Sequence, residues 1–369
     1  MSAFCLCMFT ACDSDDNNLL CYGTHTDIEG DVTAFGAVGD GKTDCSKAIN
    51  SAIASLPAEG GVLVIPEGDF VLDAPIVINK HNVTFKGLNP GMRSNIDVNG
   101  INELLGPGGG SKLVARNAEA AIKVETGVKG VKIMNLMVSG GTEAKNIGIH
   151  FAGTSDDGML SNIIGINLHT GVKIEQAKNM QIINCWVCEL PNSMVLIGGE
   201  NINIKNCQLG AQPTGITCKA QGVNKLSFVN NQVYPDGREN LVLDGCNNCI
   251  VEGNNFKSYY NGILVLSGND NRVNKNIFWL TGALQNQMLD HGDDFGIINV
   301  KGNNNMFVSN SLSFEWAYTD AVAVNATQGT GNVFKNCFID NLESYRVFLV
   351  NSGTEVSNCV SSDKVSIVE

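Results

Sequence analysis

The sequence predicts an all-β fold, a right-handed parallel β-helix with coils of about 23 residues, preceded by one capping helix. A repeat, a recurring polar slot and a set of short apolar strands predict it. Segments beginning at Ala177, Glu200, Val223, Cys246 and Asn269 follow one another at a spacing of 23. Aligning QIINCWV, NIKNCQL, FVNNQV, VEGNNF, NKNIF, VSNSL, FKNCF and VSNCV puts Cys185, Cys207, Asn231, Asn254, Asn276, Asn310, Asn336 and Asn358 in one slot. The strands GVKIE, MVLIGG, NLVLDG, GILVLSG, GIINVKG, AVAVNA and VFLVNSG are rich in Val, Ile and Leu and lack a 3.6-residue period.

Stacked coils bring identical side chains into register at the β spacing, so a repeated asparagine becomes a ladder. Its amides donate and accept along the axis and satisfy groups that would otherwise be buried unpaired. The predicted domains are 1–30, a signal and tether, and 31–369, a single β-helix. The helix Ser46 to Ser55 is expected to plug the open end of the coil, with Thr43 or Asp44 as its cap. Asp40 and Asp44 suit a turn and a cap better than a metal site, because caps prefer the same residue types.

The chain opens MSAFCLCMFTACDSDDNN. A short apolar run ending in Thr10-Ala11-Cys12 and followed by Asp13, Asp15 and Asp16 resembles a bacterial lipoprotein signal with an acidic export tether, although no basic region precedes it. The alternative is a disordered tail. The implied location is the cell envelope, as an outer-membrane lipoprotein or in the periplasm. No other stretch approaches the roughly 18 apolar residues of a membrane span, so the remainder is expected to be soluble.

A net charge of −13 argues against nucleic acid, whose phosphates need lysine and arginine. It also disfavours polyanionic glycans and suits a neutral substrate. Thirteen cysteines include Cys185-Trp186-Val187-Cys188 and Cys246 with Cys249. The repeat places Cys185 and Cys207 in an inward slot, so packing is expected rather than zinc or disulfide chemistry.

Function on a solenoid sits where the coils are interrupted. From Asn276 to Asn310 is 34 positions, so about eleven extra residues lie in WLTGALQNQMLDHGDDFG. Asp290, His291, Asp293 and Asp294 crowd this segment. Such carboxylates can split their pKa values into an acid and a base, bind calcium, or form a solvated turn. Glu189, in INCWVCELPNSMVLIGG, occupies a slot that the other coils fill with Ala211, Pro235, Ser258 and Leu280. The repeat does not require a carboxylate there. It is either a groove residue or a surface turn glutamate.

GDDFGIINVKGNNNMFVSNSLSF (Gly292 to Phe314) and INCWVCELPNSMVLIGG (Ile183 to Gly199) resemble the inulin fructotransferase and difructose dianhydride hydrolase family, glycoside hydrolase family ninety-one. FKGLNPGMRSNI, which carries Arg93, is a weaker match. The opening Asp31 to Ile78 resembles the wider pectate-lyase-like superfamily. The resemblance implies that Glu189 is the general acid/base. It implies no cofactor and no metal, a fructan or fructose disaccharide as substrate, and a homotrimer with active sites between subunits.

The family's aspartate eleven residues before that glutamate is Lys178 here. Either the reaction differs from the family's or another carboxylate substitutes, with Glu175, Glu200, Asp293 and Asp294 as candidates; Glu200 lies one coil beyond Lys178, about 4.8 Å along the stack. His291, Asp290, Arg93, Trp186 and Trp279 are candidate substrate contacts, with Tyr259 and Tyr260 as further flat faces; core packing is the alternative for each aromatic. The family's chemistry is protonation of a glycosidic oxygen while a hydroxyl of the neighbouring fructose, or water, attacks the anomeric carbon. A polysaccharide lyase or glycosidase acting on another glycan, and a non-catalytic glycan-binding β-helix, are the competing readings.

Overall fold

The computed structural model describes residues 29–91, 110–140, 145–281, 294–315, 322–340, 347–361 and 367–368. Cys12, Arg93, Asp290, His291 and Asp293 lie outside them. Every described strand pairing is parallel, and each strand pairs with its counterpart about one coil later. This is a parallel β-helix.

The strand interiors follow from burial. Along Ile250–Glu252, Arg272–Asn274 and Met306–Val308, the central Val251, Val273 and Phe307 are fully buried while their neighbours face outward. Removing such a side chain from water is worth about 2 kcal/mol, and the core runs as one cluster along the whole solenoid. Phenylalanines stack inside it, with Phe256 and Phe278 at 5.1 Å and Phe307 and Phe334 at 4.4 Å between ring centroids.

The helix spans Ser46–Ser55, as expected, and buries Ile49, Ala52 and Ile53. The N-cap position is Cys45, which makes no side-chain cap bond, rather than Thr43 or Asp44; Asp44, one residue earlier, accepts through Oδ1 from the Ser46 backbone N–H at 3.0 Å and from Asp73 N–H at 3.0 Å. Asp40 closes its own turn, accepting from the N–H groups of Lys42 and Thr43 at 2.8 Å each, which with the Thr43 hydroxyl lowers its pKa to about 2.

The asparagine ladder is real, but its membership differs from the aligned sequence. Asn231, Asn254 and Asn276 each accept through Oδ1 from the backbone N–H of the coil below. Each also donates Nδ2 to a carbonyl across the corner and to the next amide where one follows. Beyond Asn310 the register Ser311↔Phe338↔Val360 puts Cys337 and Cys359 in the slot. Asn336 and Asn358 precede it, at φ 54° and 51°. They join Asn184, Asn206, Asn230, Gly253, Lys275 and Ser309 in the left-handed conformation that turns each corner. The ladder is thus an asparagine run ended on both sides by cysteines, whose thiols donate to backbone carbonyls.

A second buried ladder, Asn271–Asn305–Asn332, runs along another corner. Asn305 is thus the middle member of this ladder. All nine described cysteines are free thiols, and eight of them are buried.

Asn276→Ala leaves the Asn254 N–H without its partner and removes one of the two bonds made by Asn254 Nδ2 and the bond from Asn276 to the Val251 carbonyl. Chemical denaturation should show a loss of about 3 kcal/mol; an unchanged midpoint would deny the ladder its structural role.

Candidate functional site

Strand Trp186–Ile197 pairs with Gln208–Gln221, but their register slips. Val187 opposes Leu209 and Leu190 opposes Ala211, so Cys188 and Glu189 together face one residue, Gly210. Glu189 is therefore part of a β-bulge, and its φ of 65° is a left-handed conformation uncommon for glutamate. Ala211 is not its slot-mate, as the repeat alone suggested; it pairs with Leu190. A bulge re-aims a side chain, and a strained non-glycine residue persists only where its surroundings hold it.

Ser193 holds it. Fully buried, its Oγ lies 2.8 Å from the carbonyl oxygens of both Val187 and Gly210, which share its proton, and it accepts the Gly210 N–H at 3.2 Å. One hydroxyl thus ties the strand before the bulge to the facing residue. Gly171 makes room from the coil below, since a Cβ there would stand 2.2 Å from Val187 Cγ1 and 2.8 Å from the Ser193 carbonyl oxygen.

Glu189 lines a cavity of about 300 Å³ with Cys188, Ala211, Gln212, Tyr234 and Asp236. Gln212 donates to the Glu189 carbonyl at 3.3 Å, and the Tyr234 hydroxyl lies 2.9 Å from Gln208 Oε1. Asp236 follows Pro235 in the turn above. Glycine at 237 lets that turn lie against Ala211, because a Cβ would come within 3.2 Å of the Ala211 Cβ and 2.6 Å of Thr217 Oγ1.

Taken as whole residues both acids are exposed, yet each carboxyl is partly withdrawn from water at the cavity wall. Burial pushes the Asp236 pKa up. Burial, and then the charge of Asp236, push up that of Glu189. Burial together with the charges of Glu189 and Asp236 holds Cys188 as a thiol. The site can supply one carboxylic acid and one carboxylate to a bound molecule.

The other candidates lie elsewhere. Glu200 is the Cα partner of Lys178, as the repeat predicted. It belongs to a different stack of strands from Glu189 and is paired with Lys225 at 2.7 Å, which lowers its pKa. Glu175 is held by His150 at 2.7 Å and Lys173 at 2.8 Å, with its pKa lowered by Lys173 first and His150 next. Asp294 is exposed and precedes strand Ile298–Val300. That strand is four coils from the Glu189 strand, about 19 Å along the axis, so the two do not meet within one subunit.

Trp186 is only 3% exposed, packed with Met137, Ile164, Ile166 and Cys188, and offers no face to a sugar. Tyr260 is likewise buried. Trp279 is half-buried, and the Lys257 ammonium sits 4.9 Å from its ring centroid. Sequence reasoning missed Asp236, because Tyr-Pro-Asp-Gly reads as an ordinary turn. The available signal was its offset: Glu189 stands four positions after ladder residue Cys185, and Asp236 five after Asn231.

The fold and cavity define a class. The family model described as rhamnogalacturonase A/epimerase, pectate lyase-like, matches residues 31–250, more than half of the chain, and the protein belongs to that family. A right-handed β-helix region matches residues 214–367. Within that class, the chain is similar to the DFA-I-forming inulin fructotransferase of Arthrobacter globiformis, 23% identical over 318 residues, 77% of this chain and 80% of that protein.

Among solved structures, it resembles DFA-IIIase from Arthrobacter chlorophenolicus A6 without its lid in complex with GF2. The TM-score is 0.76 at 22% identity, covering 93% of this chain and 97% of that one. The same enzyme in complex with DFA-III gives a TM-score of 0.72 at 22% identity over 89% and 85% of the two chains. These relatives agree with the family resemblance read from Ile183–Gly199 and Gly292–Phe314.

Ser193→Ala should relax the bulge and cost about 1–2 kcal/mol. NMR titration of the Glu189 carboxyl carbon should then show its pKa moving down toward the ordinary range, and an unmoved midpoint would show that the serine does not set the bulge.

Proposed function

We propose that the protein is a carbohydrate-active enzyme that cleaves fructosyl linkages, by intramolecular transfer or by hydrolysis, with Glu189 as general acid. The observation that carries this reading is a carboxyl with a raised pKa, aimed by a strained bulge into a cavity it shares with a second carboxyl. The inulin- and difructose-active relatives supply the substrate class. Glu189 would protonate the leaving glycosidic oxygen as a fructose hydroxyl or water attacks the anomeric carbon. An acid must hold its proton, so activity is expected to fall as pH rises through the raised Glu189 pKa.

The family match to rhamnogalacturonase A and epimerases favours a second reading, action on a uronate-containing glycan. Against it, no lysine or arginine is among the described residues lining the cavity, and two carboxylates there would repel a uronate.

Products formed from inulin, difructose dianhydrides and a panel of uronates decide between these readings. On a fructan, Glu189→Gln should lower kcat about 10³-fold while sugar binding persists. Unchanged turnover would remove Glu189 from the mechanism, and turnover of uronates alone would replace the fructan reading.

We further propose a homotrimer anchored to the cell envelope through Cys12. Outward Ile277 and Phe338, 47% and 44% exposed on one strand stack, support association, and Thr10-Ala11-Cys12 supports the anchor. Sedimentation of detergent-released membrane fractions should give a trimer mass; a monomer recovered without detergent would remove both proposals.

A further inference from the structure

We infer that Asp236 is the second carboxylate of the reaction, the base that takes the proton of the attacking hydroxyl. The assignment rests on the fructosyl-cleavage reading and deepens it. Lys178 stands where the family places an aspartate, so the partner of Glu189 must come from elsewhere in the fold. Glu200 is bound to Lys225 in another strand stack, Glu175 is bound to Lys173 and His150 and lies opposite Ile197 rather than the bulge, and Asp294 is four coils away. Among the described residues, Asp236 is the other carboxylate lining the Glu189 cavity.

The register Trp186↔Gln208↔Gln232 places the Asp236 turn two coils beyond the bulge, about 9.6 Å of rise, and both side chains line the one cavity.

Burial raises the pKa of Asp236, whereas Glu189 is raised by burial and also by the charge on Asp236, a direction that agrees with Glu189 as the acid and Asp236 as the base. In the step, the attacking oxygen bonds to the anomeric carbon and the bond to the glycosidic oxygen breaks. The attacker's proton passes to Asp236, the Glu189 proton passes to the leaving oxygen, and the two carboxyls then exchange a proton through solvent.

The test compares wild type, Asp236→Asn and Asp236→Glu on inulin and difructose dianhydrides, with kcat and KM measured across pH. Asp236→Asn should lose about 100-fold in kcat with KM within about threefold. The acidic limb of its kcat/KM profile should vanish, because no base remains to be protonated. Its basic limb should move to lower pH, because Glu189 loses a negative neighbour. Asp236→Glu should keep the acidic limb, which a packing role would not require.

If Asp236→Asn stays within about threefold of wild type in kcat, or turns over slowly with both limbs in place, the assignment to Asp236 is overturned and the fructan reading stands. If the wild type itself turns over none of the fructans, the fructan reading fails, and the base role assigned to Asp236 fails with it.

Discussion

Coil-to-coil register is the constraint on which the rest of this molecule depends. Parallel strands repeat the same backbone bonds at every step, so a slip of one residue would exchange core and surface along a whole face. The corner asparagines oppose such a slip. A buried amide that must meet both a backbone N–H and a carbonyl of the preceding coil has one acceptable height in the stack. Where the run ends, cysteines take the slot, since a thiol asks for less hydrogen bonding than an amide.

A regular scaffold makes its irregularities informative. The β-bulge at Glu189 is a local slip between the paired residues Val187 and Leu190, and a second register shift follows between Leu190 and Asn192. Keeping glutamate at positive φ, and holding two carboxyls at a poorly solvated wall, both work against stability. For acids whose folded pKa is raised, the favourable contribution is complete below the unfolded value and declines as pH rises through the folded one. The cavity is thus least comfortable when both groups are ionised, which is the direction in which burial and the Asp236 charge push Glu189.

The charged insertion near Asp290 drew notice because its composition was unusual, whereas the cavity that holds Glu189 and Asp236 is built from segments of ordinary composition. Asp236 is one carboxylate in a common turn, and Ser193 is one small polar residue in an apolar strand. Neither is legible alone, because each matters through a neighbour about one or two coils distant in sequence. Glu189 was legible since the repeat did not call for it. Trp186 misled for the opposite reason: an aromatic next to a candidate acid looks like a sugar platform, but its place over Ile164 and Met137 makes it a packing residue.

By itself, the sequence determined the parallel β-helix, the coil length, the helix Ser46–Ser55 and the inward cysteines, and it singled out Glu189 as a carboxylate that the repeat does not require. Each of these follows from periodicity or local preference, which operate over short stretches of chain. Tertiary structure decided the true ladder membership, the bulge, and the pairing of Glu189 with Asp236 in preference to Glu200 or Asp294. Those depend on register between coils, where a shift of one position changes which side chains meet, and that register is set by hydrogen bonds between residues more than twenty positions apart.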